Sequence, residues 1–183
     1  MSWTIDTHHT QIEFVARHMM ITKVHGQFEK FTGEVNLDEN NPSNTSVDIQ
    51  IEMASVNTRD SKRDDHLRSA DFFNAAEFPT MTFKSKQVKT ADAEHAVLIG
   101  DLTIKNVTHE VKMDVDFAGK AKNPWGKMVY GFTGKTRINR KDWGLTWNMA
   151  LETGGVLVGD EIEIAIELEV VQEPEAVAEA HAA

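Results

Sequence analysis

Apolar and polar residues alternate along most of this chain, and this feature limits the fold more than any other. Between residues 47 and 53, in the sequence VDIQIEM, every second residue is apolar. Similar alternation runs through residues 31–37, 98–104, 111–117, 128–138 and 162–170. Because successive side chains of a β-strand point to opposite faces, each run predicts a strand with one buried face. No stretch has the strand–helix–strand spacing of a parallel sheet, so the chain is predicted to be all-β and antiparallel.

These runs define eight principal strands, which can close as a sandwich or as a barrel. The alternation over residues 128–138 and 162–170 is longer than the usual strand of about five to six residues. Long strands favour a barrel, so we predict an eight-stranded antiparallel barrel over residues 1–171. Residues 23–26 are expected to form a turn, and residues 143–147 a short strand. Such a barrel holds either packed side chains or one small ligand, and the sequence leaves both open.

The stretch of residues 55–83 interrupts the alternation. Asn57 can cap a helix there, and Ser69 offers a second cap. We therefore predict a helical insert over about residues 57–76 that closes one end of the barrel. The Phe72-Phe73 pair within it either packs as core or forms the gate of a cavity.

Charge and composition exclude several classes of partner. The net charge of −10 argues against nucleic acid and against an anionic membrane surface. The chain has no cysteine, no apolar run of membrane-spanning length and no signal-peptide pattern at its start. We therefore expect a soluble, cytoplasmic protein without stable membrane insertion. Residues 172–183 are acidic and alanine-rich, which predicts a disordered tail.

The sequence contains no catalytic or metal-binding motif of the common kinds. There is no G-x-S-x-G, P-loop or G-x-G-x-x-G, and the eight histidines lack the spacing of a helical metal site. We expect no catalytic residue, metal or cofactor. His66 next to Asp64 and Asp65 is a candidate general base, but we favour a structural role in which the histidine and the aspartates bond the backbone at helix ends. Arg137 and Arg140 could bind a phosphate head group or form solvated ion pairs.

Several ordered motifs resemble one known family. They are Trp3-x-Ile5-Asp6-x-x-His9-Thr10-x-Ile12-x-Phe14, Gly26-x-Phe28, Phe31-x-Gly33, Arg63-Asp64-x-His66-Leu67-x-Ser69-x-Asp71-Phe72-Phe73, Phe78-Pro79-x-x-x-Phe83, Gly100-x-Leu102-Thr103-Ile104-Lys105-x-Val107-Thr108 and Arg140-x-Asp142-x-Gly144-Leu145-x-Trp147. Together they are similar to the YceI-like polyisoprenoid-binding family, from residue 3 to about residue 171. Three positions depart from its usual pattern: Thr10 replaces serine, Asn106 replaces glycine and Trp143 replaces phenylalanine.

The resemblance implies a lipocalin-like barrel that carries a long hydrophobic ligand, such as a polyisoprenoid, an isoprenoid quinone or a fatty-acid derivative. It also suggests a role in isoprenoid transport or storage, or in stress, and leaves a homodimer open. The alternatives are an enzyme of small lipids that uses His66 or His18, and a filled barrel that acts through its surface. The candidate ligand-binding residues are Phe14, His18, Phe31, Ile51, Met53, Phe72, Phe73, Met81, Phe83, Met113, Tyr130, Phe132, Arg137, Trp143 and Trp147.

Overall fold

A computed structural model describes residues 2–173 of the chain. Eleven strands account for most of it: β1 Ser2–Ile5, β2 Gln11–His18, β3 Thr22–Phe28, β4 Phe31–Asn36, β5 Ser46–Glu52, β6 Val56–Asn57, β7 Thr80–Thr90, β8 His95–Ile104, β9 Val107–Lys122, β10 Met128–Asn139 and β11 Val158–Glu173. One α-helix, α1, spans Ser61–Arg68, and short 3-10 turns span Pro42–Asn44, Met53–Ser55 and Arg140–Trp143. Antiparallel β structure with one short helix is therefore confirmed.

All strands belong to one curled antiparallel sheet, in the order β4-β5-β7-β8-β9-β10-β11-β2-β3-β6. β11 is long enough to pair with β2 along its first half and with β1 at its end. The sheet curls until β1 lies beside β4, where the Trp3 indole donates a hydrogen bond to the Leu37 carbonyl at 3.0 Å. The result is a barrel whose inward side chains form one apolar core.

The predicted barrel is confirmed, but the structure has eleven strands instead of eight, and one of the additional strands was mistaken for a turn. Residues 23–26 lie inside β3, where Phe14 pairs with Gly26. A Cβ atom on Gly26 would lie 2.2 Å from the ring of Phe14, so this glycine makes room for an aromatic side chain inside a strand. The expected strand at residues 143–147 is also wrong, because the Arg140–Trp143 turn and an irregular segment occupy that place.

The helical insert is shorter than predicted. Its α-helix covers only Ser61–Arg68, and its cap is Asp60, whose Oδ1 accepts hydrogen bonds from the amides of Lys62 and Arg63. Ser69, predicted as a second N-terminal cap, instead ends the helix. Turns closed by local backbone hydrogen bonds continue the insert to Phe78.

The end of β11 lies slightly beyond the predicted domain boundary. Glu173 pairs with Ser2 in the sheet, and its carboxylate lies 2.7 Å from the Lys127 ammonium. Gln172 and Glu173 thus belong to the barrel. The rest of the predicted disordered tail lies outside the described residues.

Candidate functional site

The barrel encloses a cavity of about 310 Å³ whose wall is almost entirely apolar. Large side chains from most of the strands line it, among them Ile12, Phe14, Phe28, Phe31, Ile51, Met81, Phe83, Leu98, Leu102, Met113, Phe132, Ile164, Ile166 and Leu168. A volume near 300 Å³ lies at the lower end of the range for small-molecule sites. The interior therefore has room for an apolar ligand.

Small residues on the inward faces help to leave this space. Ala16, Ala96 and Gly134 line the cavity at places where larger side chains would fill it. Gly134 lies in the middle of β10, and a Cβ atom there would lie 2.7 Å from the Sδ atom of Met113. Because that sulfur is near the end of a flexible side chain, a larger residue at position 134 could enter the cavity by moving Met113.

The insert closes one end of the barrel, called here the helix end, where β2 and β10 finish and β11 begins. Leu67 of α1 and the Phe72-Phe73 pair all line the cavity there. The Phe73 ring lies 5.8 Å from that of Phe28, which lies 5.5 Å from that of Phe14. The Phe72-Phe73 pair thus packs as core and borders the cavity at once, while its role as a gate stays a prediction.

Side chains within the insert fix its position. The buried Asp64 carboxylate accepts hydrogen bonds from the amide and the hydroxyl of Thr58 at 2.8 and 2.6 Å. Arg63 donates to the same Thr58, at its hydroxyl and its carbonyl. Arg68 donates to the carbonyls of Ala54 and Val56, which joins the end of α1 to the segment before it.

The carboxylate partner of His66 is Asp71, not its sequence neighbours. His66 Nε2 lies 2.8 Å from Asp71 Oδ2, whereas Asp64 binds Thr58 and Asp65 pairs with Arg68. The His66 ring packs edge-on against Trp147, with 4.6 Å between centroids. His66 is not part of the cavity wall, so an acid–base role on a bound lipid gains no geometric support.

The two arginines proposed for a head group have other partners. Arg140 is 3% exposed and donates to the backbone carbonyls of Gly159, Leu145, Trp147 and Val158. Burial lowers the pKa of Arg140, while the nearby Asp160 opposes this. Arg137 lies on the outer face, 3.6 Å from Glu161 and 3.7 Å from Glu163.

The structure brings many of the predicted ligand-binding residues together in the cavity wall. These are Phe14, Phe31, Ile51, Phe72, Phe73, Met81, Phe83, Met113 and Phe132. The predicted residues outside the wall are His18, Met53, Tyr130, Arg137, Trp143 and Trp147. For the residues inside and outside the wall alike, contact with a ligand stays a prediction.

Local contacts explain why the residues outside the wall lie elsewhere. His18 is the last residue of β2, and Met53 is packed in a 3-10 turn. The indole of Trp143 is buried and donates to the Leu102 carbonyl at 3.0 Å, so its N–H does not face the cavity. Trp147 packs on the insert, with its ring 5.4 Å from that of Phe72.

Tyr130 lies near the opposite end of the barrel. Its ring packs edge-on against Trp3, with 4.9 Å between centroids, and the Lys120 ammonium lies 5.2 Å above it. Burial raises the pKa of Tyr130, and the carboxylate of Glu39 adds to the rise. The packing of Tyr130 against Trp3 thus makes that end of the barrel part of the packed core.

Sequence reasoning missed most of the aliphatic part of the wall. Leu98 and Leu102 on β8, with Ile164, Ile166 and Leu168 on β11, all line the cavity. The alternation that predicted these strands already placed these side chains on one face. Their inward position was therefore available from the sequence, and the preference for aromatic residues hid it.

One group of side chains among residues 2–173 has a metal-like donor set: Asp6, His9 and Glu169, whose ligand atoms lie within 4.8 Å of one another. The group is already bonded internally, because His9 Nδ1 lies 2.9 Å from Asp6 Oδ2. The other Asp6 oxygen accepts hydrogen bonds from the amides of His8 and His9, so Asp6 also closes this turn. These bonds account for the group without a metal.

Two such histidine–carboxylate pairs predict a pH dependence of stability. The bond to Asp6 raises the pKa of His9 above 6.5, and the bond to Asp92 raises the pKa of His95. A raised pKa stabilises the fold below pH 6.5, and the benefit is lost as pH rises through the folded-state value. The urea midpoint of the wild-type protein should therefore fall between about pH 5.5 and pH 8.5, and this fall should be smaller in the double variant His9→Gln/His95→Gln. Both histidines are exposed, so the effect is small, and an unchanged fall would contradict it.

No helix among the described residues is long and apolar enough to cross a membrane. The fold and cavity together define an antiparallel β-barrel with an apolar interior. Its particular family follows from comparison with known proteins.

The model of the YceI-like domain matches residues 3–170, and the chain belongs to this family. A UPF0312 protein of Staphylococcus aureus strain N315 is 41% identical over 163 residues, which cover 88% of this chain and 92% of that protein. The Campylobacter jejuni YceI protein superposes with a TM-score of 0.75 at 32% identity, covering 86% of this chain and 90% of that one.

Two further solved structures share the fold. Burkholderia cenocepacia BcnA has a TM-score of 0.79 at 25% identity and covers 90% of this chain and 98% of its own. A polyisoprenoid-binding domain from Saccharophagus degradans has a TM-score of 0.68 and covers 94% of this chain and 99% of its own. At 12% identity, the latter shows likeness of fold alone.

Proposed function

We propose that this protein is a non-catalytic carrier that holds a long hydrophobic molecule in its barrel. The apolar cavity is the single observation that carries the proposal. An alkyl or isoprenoid chain gains about 25 cal/mol for each Å² of its surface that the wall removes from water. Family membership and a polyisoprenoid-binding structural neighbour support the same class of ligand.

The ligand class we favour is a polyisoprenoid, an isoprenoid quinone or a fatty-acid derivative. All three present an apolar chain, which the wall accepts without leaving polar groups unpaired. Arg140 uses its donors on the backbone, so a charged head group gains no binding site from it. We therefore favour a ligand whose polar end stays near an opening of the barrel.

The experiment is to extract the purified protein with organic solvent and identify the released molecules by mass spectrometry. Wild-type protein should yield a hydrophobic molecule in a ratio approaching one per chain. The variant Gly134→Leu fills the centre of the cavity, so it should carry much less.

Gly131→Leu is the matched control on the same strand. Gly131 is not part of the cavity wall, and a Cβ atom there would lie 3.6 Å from its nearest neighbour. This variant should carry as much ligand as wild type. If wild-type protein carries no such molecule and takes up none when polyprenols or fatty acids are added, the carrier function is wrong.

A further inference from the structure

We propose that the barrel docks on a lipid bilayer through an exposed apolar tip at the helix end. The tip consists of Met19, Met20 and Ile21 between β2 and β3, together with Met149 of the neighbouring loop. These side chains are 40, 55, 76 and 56% exposed, respectively. The two segments adjoin, because Leu157 accepts a hydrogen bond from the Met19 amide and donates one to the Met149 carbonyl.

The backbone conformation of the tip costs free energy, in addition to the cost of exposing its apolar side chains. Met19 and Met20 have φ values of 52° and 61°, in the left-handed region that side chains other than those of glycine and asparagine rarely adopt. Asn-Gly is the usual pair for such a turn between antiparallel strands. Two methionines here weaken the turn and expose apolar surface to water. Folding does not require this choice, so we attribute it to a contact made outside the barrel.

The charge of the hairpin differs from that of the whole chain. Residues 14–28 contain Arg17 and Lys23 but no aspartate or glutamate, whereas the chain has a net charge of −10. Lys23 is partly offset by Glu163 at 3.7 Å. The net charge argued against an anionic membrane surface, but the hairpin itself approaches lipid without adding negative charge. The loop of Met149 contributes one exposed carboxylate, that of Glu152. Insertion of apolar side chains, rather than attraction between charges, then provides the binding.

The tip also projects from the wall of the cavity. His18 at the start of the turn pairs with Val158, and both Val158 and Ala16 line the cavity. Docking at this end would bring the helix end of the cavity to the bilayer, where a hydrophobic ligand resides. This role of docking rests on the proposed carrier function. The docking itself is measured without any ligand, and it requires only shallow insertion of apolar side chains.

Trp125 provides a matched control. It is 84% exposed and lies in the loop between β9 and β10, at the opposite end of the barrel from the tip. The Trp125 side chain is as exposed and apolar as those of the tip, but it lies elsewhere on the barrel. Trp125→Ser should therefore leave docking unchanged.

The experiment measures co-sedimentation of the full chain with phosphatidylcholine vesicles, with and without about one fifth of phosphatidylglycerol. Ile21→Ser should lower vesicle affinity about tenfold, because one large apolar side chain no longer leaves water. The double variant Met19→Asn/Met20→Gly should lower it as much or more. Its melting temperature should equal or exceed that of wild type, because Asn-Gly fits the turn better.

Three results would overturn the proposal: wild-type protein that stays free of both vesicles, tip variants that bind like wild type, and Trp125→Ser losing as much affinity as Ile21→Ser. Sedimentation velocity without lipid adds a fourth. If the tip variants abolish a concentration-dependent dimer and change nothing with vesicles, the tip binds a second copy of the chain instead. Uptake of a fluorescent fatty acid in detergent should stay equal in all variants, which separates failure of docking from failure of the carrier function.

Discussion

Replacing Arg140 with methionine is expected to lower the free energy of unfolding by about 3–5 kcal/mol, as when one partner is removed from a buried charged network. The side chain is 3% exposed and donates to four backbone carbonyls. Methionine fills similar space but donates nothing, so the carbonyls of Leu145, Trp147 and Gly159 and the buried Oδ1 of Asp160 lose the guanidinium. The Val158 carbonyl keeps the hydrogen bond from the Asn148 side chain. Urea unfolding followed by tryptophan fluorescence measures the loss.

Arg137→Met is the matched control, because Arg137 lies three residues earlier, on β10, but is 66% exposed. Its effect should stay within about 0.5 kcal/mol. Arg140→Lys should recover little stability, since one ammonium cannot reach carbonyls that a planar fork binds from several sides. A loss below about 1 kcal/mol in Arg140→Met would show that water replaces the arginine, and that it does not organise this end of the barrel.

The position of those carbonyls gives Arg140 a role in the site. They belong to Leu145, Trp147, Val158 and Gly159, which lead into and out of the loop at the helix end. Leu145 and Val158 line the cavity. Arg140 itself lines the cavity, and its hydrogen bonds therefore hold the neighbouring part of the cavity wall in position. A sequence-based hypothesis that gave Arg140 a head group could not foresee this role, because the carbonyls come from segments up to nineteen residues away.

The barrel was predictable because its evidence is local. Alternation along β5, β9 and β11 sets which face of each strand is buried, whatever its neighbours are. β3 was missed because Gly26 and the polar residues around it imitate a turn. Only the ring of Phe14, on the adjacent strand, shows that the glycine is needed for packing.

The site was predictable to a smaller extent for the same reason. Phe83, Met113 and Phe132 line the cavity as strand alternation requires. Trp143 and Tyr130 share that periodicity, but the Leu102 carbonyl and the Trp3 ring hold them in packed ends of the barrel. Such partners are distant in sequence, and no local pattern identifies them. Whether space remains inside depends likewise on small residues of different strands that face one another.

A test of the cavity itself begins with Met113→Asp, which places a carboxylate in the apolar wall without a partner. Binding of a fluorescent fatty acid or a polyprenol should fall steeply. Lys112→Asp is the control, because residue 112 is exposed on the outer face of the same strand. It should bind like wild type. If Met113→Asp fails to fold, the milder substitution at Phe132 tests the cavity instead.

Phe132→Ala distinguishes a hollow barrel from a filled one. A fully packed phenylalanine replaced by alanine costs about 3–5 kcal/mol, because the removed ring leaves an unfilled space. Phe132 is only half-buried and borders the cavity, with its ring 5.4 Å from that of Phe117. The stability loss should therefore be clearly smaller, while the added space changes which chain lengths bind. Competition by polyprenols of increasing length measures that profile. A full core-sized loss with an unchanged profile would mean that the barrel is packed and acts through its surface.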